Sequence, residues 1–166
     1  MPLFSQSVEF RRDRYVDRRG LTIGRPLGHG FNGTVWATSG KRYSAIKVFR
    51  RQESYANERD VYLRLQEDRV VAVRGVAVPQ LLDFDDELGA IEMSIVSPPY
   101  VLDFADAALD TPPDFPEEVW EERESHWACA FESSWPMVRA LRDELAERYG
   151  IHLMDLRPEN INLNDG

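Results

Sequence analysis

The chain has 166 residues, of which 43% are hydrophobic and 30% charged, with a formal net charge of −9. That size and composition suit one globular domain, or two small lobes, with room for a sizeable core. Three classes are excluded: no run of about 18 apolar residues marks a membrane span, Met1–Ser5 lacks the basic and apolar segments of a signal peptide, and the single Cys129 leaves no disulfide framework or cysteine-rich zinc site. A cytoplasmic protein is the expectation.

Charge is unevenly spread. Residues 1–75 carry 15 Lys/Arg against 8 Asp/Glu, and the remainder carries 5 against 21. A nucleic-acid partner needs a basic face, which only the first half offers. Two solvated surfaces of opposite sign are the plainer expectation.

In chain order, the arginine-rich residues 1–20 show weak patterning and are expected to form an arm or a short edge strand. Strand signals begin at Leu21-Thr22-Ile23 and lead into Gly28, Gly30 and Gly33. They continue in Thr34–Thr38 and, after the turn at Ser39-Gly40-Lys41, in Ser44–Phe49. Three strands with tight connections make an antiparallel meander. A dinucleotide-binding fingerprint needs a helix directly after its glycines, and here a strand follows, so that reading fails.

Residues 53–66 carry a helical stripe of Tyr55, Val61, Tyr62 and Leu65. Val70–Val73, Val76–Phe84 and Ala90–Val96 are expected as strands, the last two joined by a turn at Asp85–Gly89. Proline clusters at Pro98-Pro99 and at Pro112, Pro113 and Pro116 mark a lobe boundary. Two helices are expected beyond it. The first is Glu117–Phe131. The second is capped by Ser133 or Ser134, admits Pro136 in its first turn, ends at Gly150, and carries Val138, Leu141, Leu145 and Tyr149. The tryptophans are expected as packing residues.

The expected fold class is therefore α+β. An arm (1–20) precedes a five-stranded antiparallel sheet with one helix (21–96), and a reduced, mostly helical lobe follows (97–166).

Three stretches carry chemistry. Leu27–Val35 holds the G-x-G-x-x-G spacing on a hairpin, where glycine lets backbone N–H groups approach phosphate oxygens; a ligand-free glycine turn is the alternative. Lys47 sits mid-strand between Ile46 and Val48, which face the other way. An inward ammonium needs anions, either phosphates or a carboxylate such as Glu58 on the next helix; a solvent-facing lysine is the alternative. Finally, Asp155 and Asn160 are five residues apart around Pro158. An Asp that accepts a hydroxyl proton and an Asn that ligates Mg²⁺ are parts of phosphoryl transfer, although the same spacing occurs in polar loops.

Together these stretches resemble the eukaryotic-type protein kinase family, and in the family's order. Gly28–Val35 is similar to its glycine-rich loop, Ala45-Ile46-Lys47 to its strand-three lysine motif, and Glu58 to the glutamate of the helix that follows. Asp155-Leu156-Arg157-Pro158-Glu159-Asn160 resembles its D-L-K-P-E-N catalytic loop. The resemblance implies ATP and Mg²⁺ as cofactors. Leu27, Gly28, Gly30, Gly33, Val35 and Ala45 would surround the nucleotide, Met93 would stand as gatekeeper, and Ser94-Ile95-Val96 would meet adenine. Lys47 and Glu58 would hold phosphates, Asp155 would be the catalytic base with Arg157 beside it, and Asn160 would bind the metal.

The departures matter as much. Leu153-Met154 replaces the family's His-Arg, Arg157 replaces a lysine, and no D-F-G or substrate-holding helices follow residue 160. Asp165 as a substitute ligand lies about 16 Å from Asn160 in an extended strand at roughly 3.3 Å per residue. ATP binding is thus expected ahead of phosphotransfer. A non-catalytic pseudokinase or regulatory module, and a structural domain that associates with itself or a protein partner through helix faces near Trp120 and Trp127, are the competing readings.

Overall fold

The computed structural model describes residues 3–95 and 102–158. Helix α1 spans Val8–Arg19, and three strands follow: β1 (Thr22–His29), β2 (Gly33–Ser39) and β3 (Ser44–Phe49). Helix α2 covers Gln52–Glu67. A two-stranded hairpin, β4 (Ala72–Val73) with β5 (Val76–Ala77), leads to β6 (Leu81–Asp85) and β7 (Ala90–Ser94). Beyond residue 102 come β8 (Ala108–Leu109), α3 (Glu117–Phe131), α4 (Trp135–Tyr149) and β9 (Ile151–His152). The main sheet is antiparallel, in the order β1-β2-β3-β7-β6.

Strand β3 lies in the middle and is buried along its whole length. Its side chains alternate between two covered faces, as the pleat requires. Ile46 and Val48 pack with Val8, Tyr15, Trp36 and Leu88 under α1. Ala45 and Phe49 face α2, joining Tyr55, Val61, Tyr62 and Leu65 in the larger core, which runs on into Val138, Leu141 and Leu145 of α4. A strand covered on both sides reads as a continuous apolar run. Lys47 interrupts that run on the α2 face.

Helix α1 departs from the expected arm or edge strand, so two helices rather than one flank the sheet. The Ser7 hydroxyl accepts the Phe10 N–H at 3.1 Å, and Gly20 closes the helix in the left-handed region at φ 63°. The buried stripe is Val8, Arg11 and Tyr15. Two of its three members are polar, so a search for apolar periodicity passes over it. Arg11 is buried because carbonyls satisfy it: it donates to Leu88 O at 2.9 Å and Phe49 O at 2.7 Å. The Tyr15 hydroxyl donates to buried Glu92 at 3.1 Å.

The expected strand over 76–84 divides in two. Residues 76–77 pair with 72–73, and 81–85 pair with β7; Pro79 lies in the break. Strand β7 ends at Ser94. Val96, expected within it, lies outside the described residues. In the helical region Trp127 is buried, and Trp120 packs partly buried against the core. Trp127 thus packs inside, as expected of the tryptophans, and Trp120 is half-buried. Trp135 joins α3 to α4 through Trp127 and Phe131, with ring centroids at 6.2 and 6.3 Å.

The two oppositely charged halves are not simply solvated. Arg18 meets Asp85 and Glu87 at 2.9 and 2.7 Å, Arg19 meets Asp83 at 2.7 Å, and Arg64 meets Asp110 at 2.7 Å. Arginines from the first part of the chain thus dock α1 and α2 onto acidic turns of the second. No helix among the described residues is long and apolar enough to cross a membrane.

Candidate functional site

The hairpin of β1 and β2 overhangs the α2 face of the sheet, and its glycines have different tasks. A Cβ on Gly33 would collide with the Val48 carbonyl oxygen of the neighbouring strand, so this position is dictated by sheet packing. Gly28 and Gly30 have open space around them. The Gly30 N–H donates to Gly33 O at 3.0 Å and closes the turn, which leaves Phe31 79% exposed at the tip.

Beneath the hairpin is a cleft of about 240 Å³. Leu27, Gly28, Val35, Ala45, Met93 and Ile95 form its largely apolar end. At the other end stand Lys47 and Glu58, with Tyr62 one helical turn further along α2. Eight of the ten residues that the sequence suggests for nucleotide contact share this one cavity. Gly30 and Gly33 are not in its wall.

Lys47 Nζ donates to both carboxylate oxygens of Glu58 at 2.8 Å, and the residues are 7% and 2% exposed. Strand β3 supplies the lysine and α2 the glutamate, on the only face where both can point into the same space. Burial opposes the ammonium, but Glu58 and Asp103 more than offset it and hold Lys47 above its ordinary value. Burial pushes Glu58 up to about 7; Lys47 pulls it down, while Asp103 and Asp106 add to the rise.

Asp103 completes the charged end, with its carboxylate 3.7 Å from Lys47 Nζ. It belongs to a strap, residues 102–110, laid along α2. Leu102 and Phe104 anchor the strap in the core, Phe104 meeting Tyr62 edge-on at 5.5 Å. Asn57 donates to the Ala107 carbonyl, and Arg64 binds Asp110. The strap also reaches the hairpin, since Asn32 donates to Asp106 at 3.2 Å. Sequence reasoning missed Asp103, together with Pro79, Leu102 and the cleft-lining role of Tyr62. The available signal was one acidic residue set between large apolar ones at Leu102-Asp103-Phe104.

Strand β8 pairs antiparallel with β9, Ala108 opposite His152 and Leu109 opposite Ile151. That register sends residues 107–102 and 153–158 away from the pair in the same direction. Leu153 and Leu156 join the core beside Leu102 and Phe104. Asp155 and Arg157 make two mutual contacts at 2.7 Å. Neither is among the described residues lining the cleft. Asn160, the expected metal ligand, lies outside the described residues.

Neither a protein-family model nor a curated protein matches this chain.

Proposed function

We propose that the cleft binds a purine nucleotide, with ATP the best fit, and that the chain is a protein-kinase-like nucleotide-binding protein. The observation that carries this reading is the buried Lys47–Glu58 pair at the polar end of an otherwise apolar slot. A flat base suits the wall of Leu27, Val35, Ala45 and Met93. Lys47, held by Glu58, would present its charge to the α- and β-phosphates, and the open backbone at Gly28 and Gly30 would let a ligand pass close beneath the hairpin.

Any phosphotransfer would depend on Asp155 as base. The opposing, non-catalytic reading draws on one observation: both Asp155 oxygens are engaged by the Arg157 guanidinium. Mg²⁺ would supply charge neutralisation at the phosphates when bound, and carboxylate oxygen is the donor chemistry it takes.

The deciding measurement is thermal unfolding with ATP, ADP, GTP and AMP. A nucleotide at a hundredfold excess over Kd stabilises the fold by about 2.7 kcal/mol, and Lys47→Met should remove most of that gain. No shift with any nucleotide at millimolar concentration would exclude the reading. Incubation with labelled ATP then separates the two variants of it. Incorporation abolished by Asp155→Ala supports transfer, and none in either protein favours the non-catalytic module.

A further inference from the structure

We propose that the Tyr62 hydroxyl reads the base, donating a hydrogen bond to a ring nitrogen of the bound purine. The inference rests on the nucleotide reading above and deepens it.

Tyr62 is 3% exposed and lines the cleft. Its ring packs edge-on against Phe104, a contact that a phenylalanine would make equally well. The hydroxyl adds nothing to that packing. It reaches across to Met93 in the apolar end and donates to the thioether Sδ at 3.5 Å. A thioether is a weak acceptor. The free protein therefore buries this polar group at a cost that a better acceptor would offset. Tyr62 and Met93 stand in the wall of the same cavity, so a ligand atom entering beside Met93 can take the place of the sulfur.

The other side-chain donors of that wall are engaged or turned away. Lys47 is held by both oxygens of Glu58 at the charged end. Ser94 alternates with Met93 along β7 and pairs with Ser44, which puts its side chain on the α1 face, where its hydroxyl accepts the Gln80 N–H. Among the described residues, Tyr62 is thus the weakly held donor that the base can reach. Burial, with the carboxylates of Glu58 and Asp103 nearby, pushes its ionisation well above the ordinary tyrosine range. The group therefore stays an O–H donor at any working pH. Adenine carries no carbonyl, so its acceptors are its ring nitrogens, all stronger than a thioether sulfur.

The test is a double cycle on the full chain, by calorimetry. It combines Tyr62→Phe with ATP analogues in which N1, N3 or N7 of the base is replaced by C–H. Tyr62→Phe should bind ATP roughly three- to tenfold more weakly than wild type, the loss of one buried hydrogen bond. In wild type one of the analogues should lose affinity by a similar factor, and that loss should vanish in Tyr62→Phe. A nitrogen with its partner elsewhere loses equally in both proteins, so the coupling reports on Tyr62 alone. Without nucleotide, Tyr62→Phe should unfold at or above the wild-type midpoint, because its hydroxyl has only the thioether to lose. No coupling with any analogue, or a lowered midpoint in the nucleotide-free variant, overturns the inference and leaves nucleotide binding standing. No ATP binding by wild type overturns both.

Discussion

Lys47 and Glu58 meet across the gap between the central strand and the helix behind it, Nζ 2.8 Å from each carboxylate oxygen. A buried pair of this kind is weak support for stability, because desolvating both charges consumes most of their attraction. Burial also raises Glu58 to about 7, from an ordinary value of 4.5. Between those two values the folded chain binds more protons at this site than the unfolded chain does. The contribution of Glu58 to stability is therefore greatest below about pH 4.5 and falls as pH rises towards 7.

Glu58→Gln removes that titration. Across pH 4.5 to 7.5, urea unfolding should show wild type losing about 3 kcal/mol relative to the glutamine variant, the equivalent of the shift at 1.36 kcal/mol per unit. Lys47 stays charged throughout the window, and Asp103 is present in both proteins. Parallel pH profiles would mean that Glu58 titrates at its ordinary value.

The three glycines of the hairpin should separate cleanly under alanine substitution. Gly33→Ala forces a methyl group against the β3 backbone and should cost about 2 kcal/mol, within the usual range for overpacking. Gly28→Ala and Gly30→Ala meet open space, so their unfolding midpoints should stay close to that of wild type. Any defect they show should be in nucleotide affinity alone. Equal destabilisation by all three would contradict the packing described for Gly33.

Arg11 fastens α1 to the sheet through two carbonyls, one from β3 and one from the turn before β7. Arg11→Met keeps much of the bulk and leaves both carbonyls without their donor, which should cost about 2–3 kcal/mol. Helix α1 lies on the face opposite the cleft, so the nucleotide response of the folded fraction should be unchanged. Chemical denaturation, paired with the nucleotide melting series, checks both halves of this expectation.

Much of the architecture was legible from local pattern. Gly150 sits at the end of α4 in the left-handed region. The stripe of Tyr55, Val61, Tyr62 and Leu65 marks α2, and Pro136 is tolerated in the first turn of α4. Helix α1 was not legible, because its inward face is held by an arginine and a tyrosine whose partners lie 38 to 77 residues away. Trp127 likewise reads as exposed or buried only once α4 has a place.

The candidate site divides along the same line. Sequence by itself determined the meander and the glycine hairpin, since strand alternation and turn chemistry are local physics, and it set an inward-facing Lys47 against a solvent-facing one. It also narrowed the partner of that lysine to phosphate or a carboxylate such as Glu58. Only the tertiary structure decided that Glu58 meets Lys47 and that Asp103 stands beside them. Those relations depend on how the strap 102–110 and the β8–β9 pair close over α2. Long-range closure of that kind leaves no periodic trace in the chain.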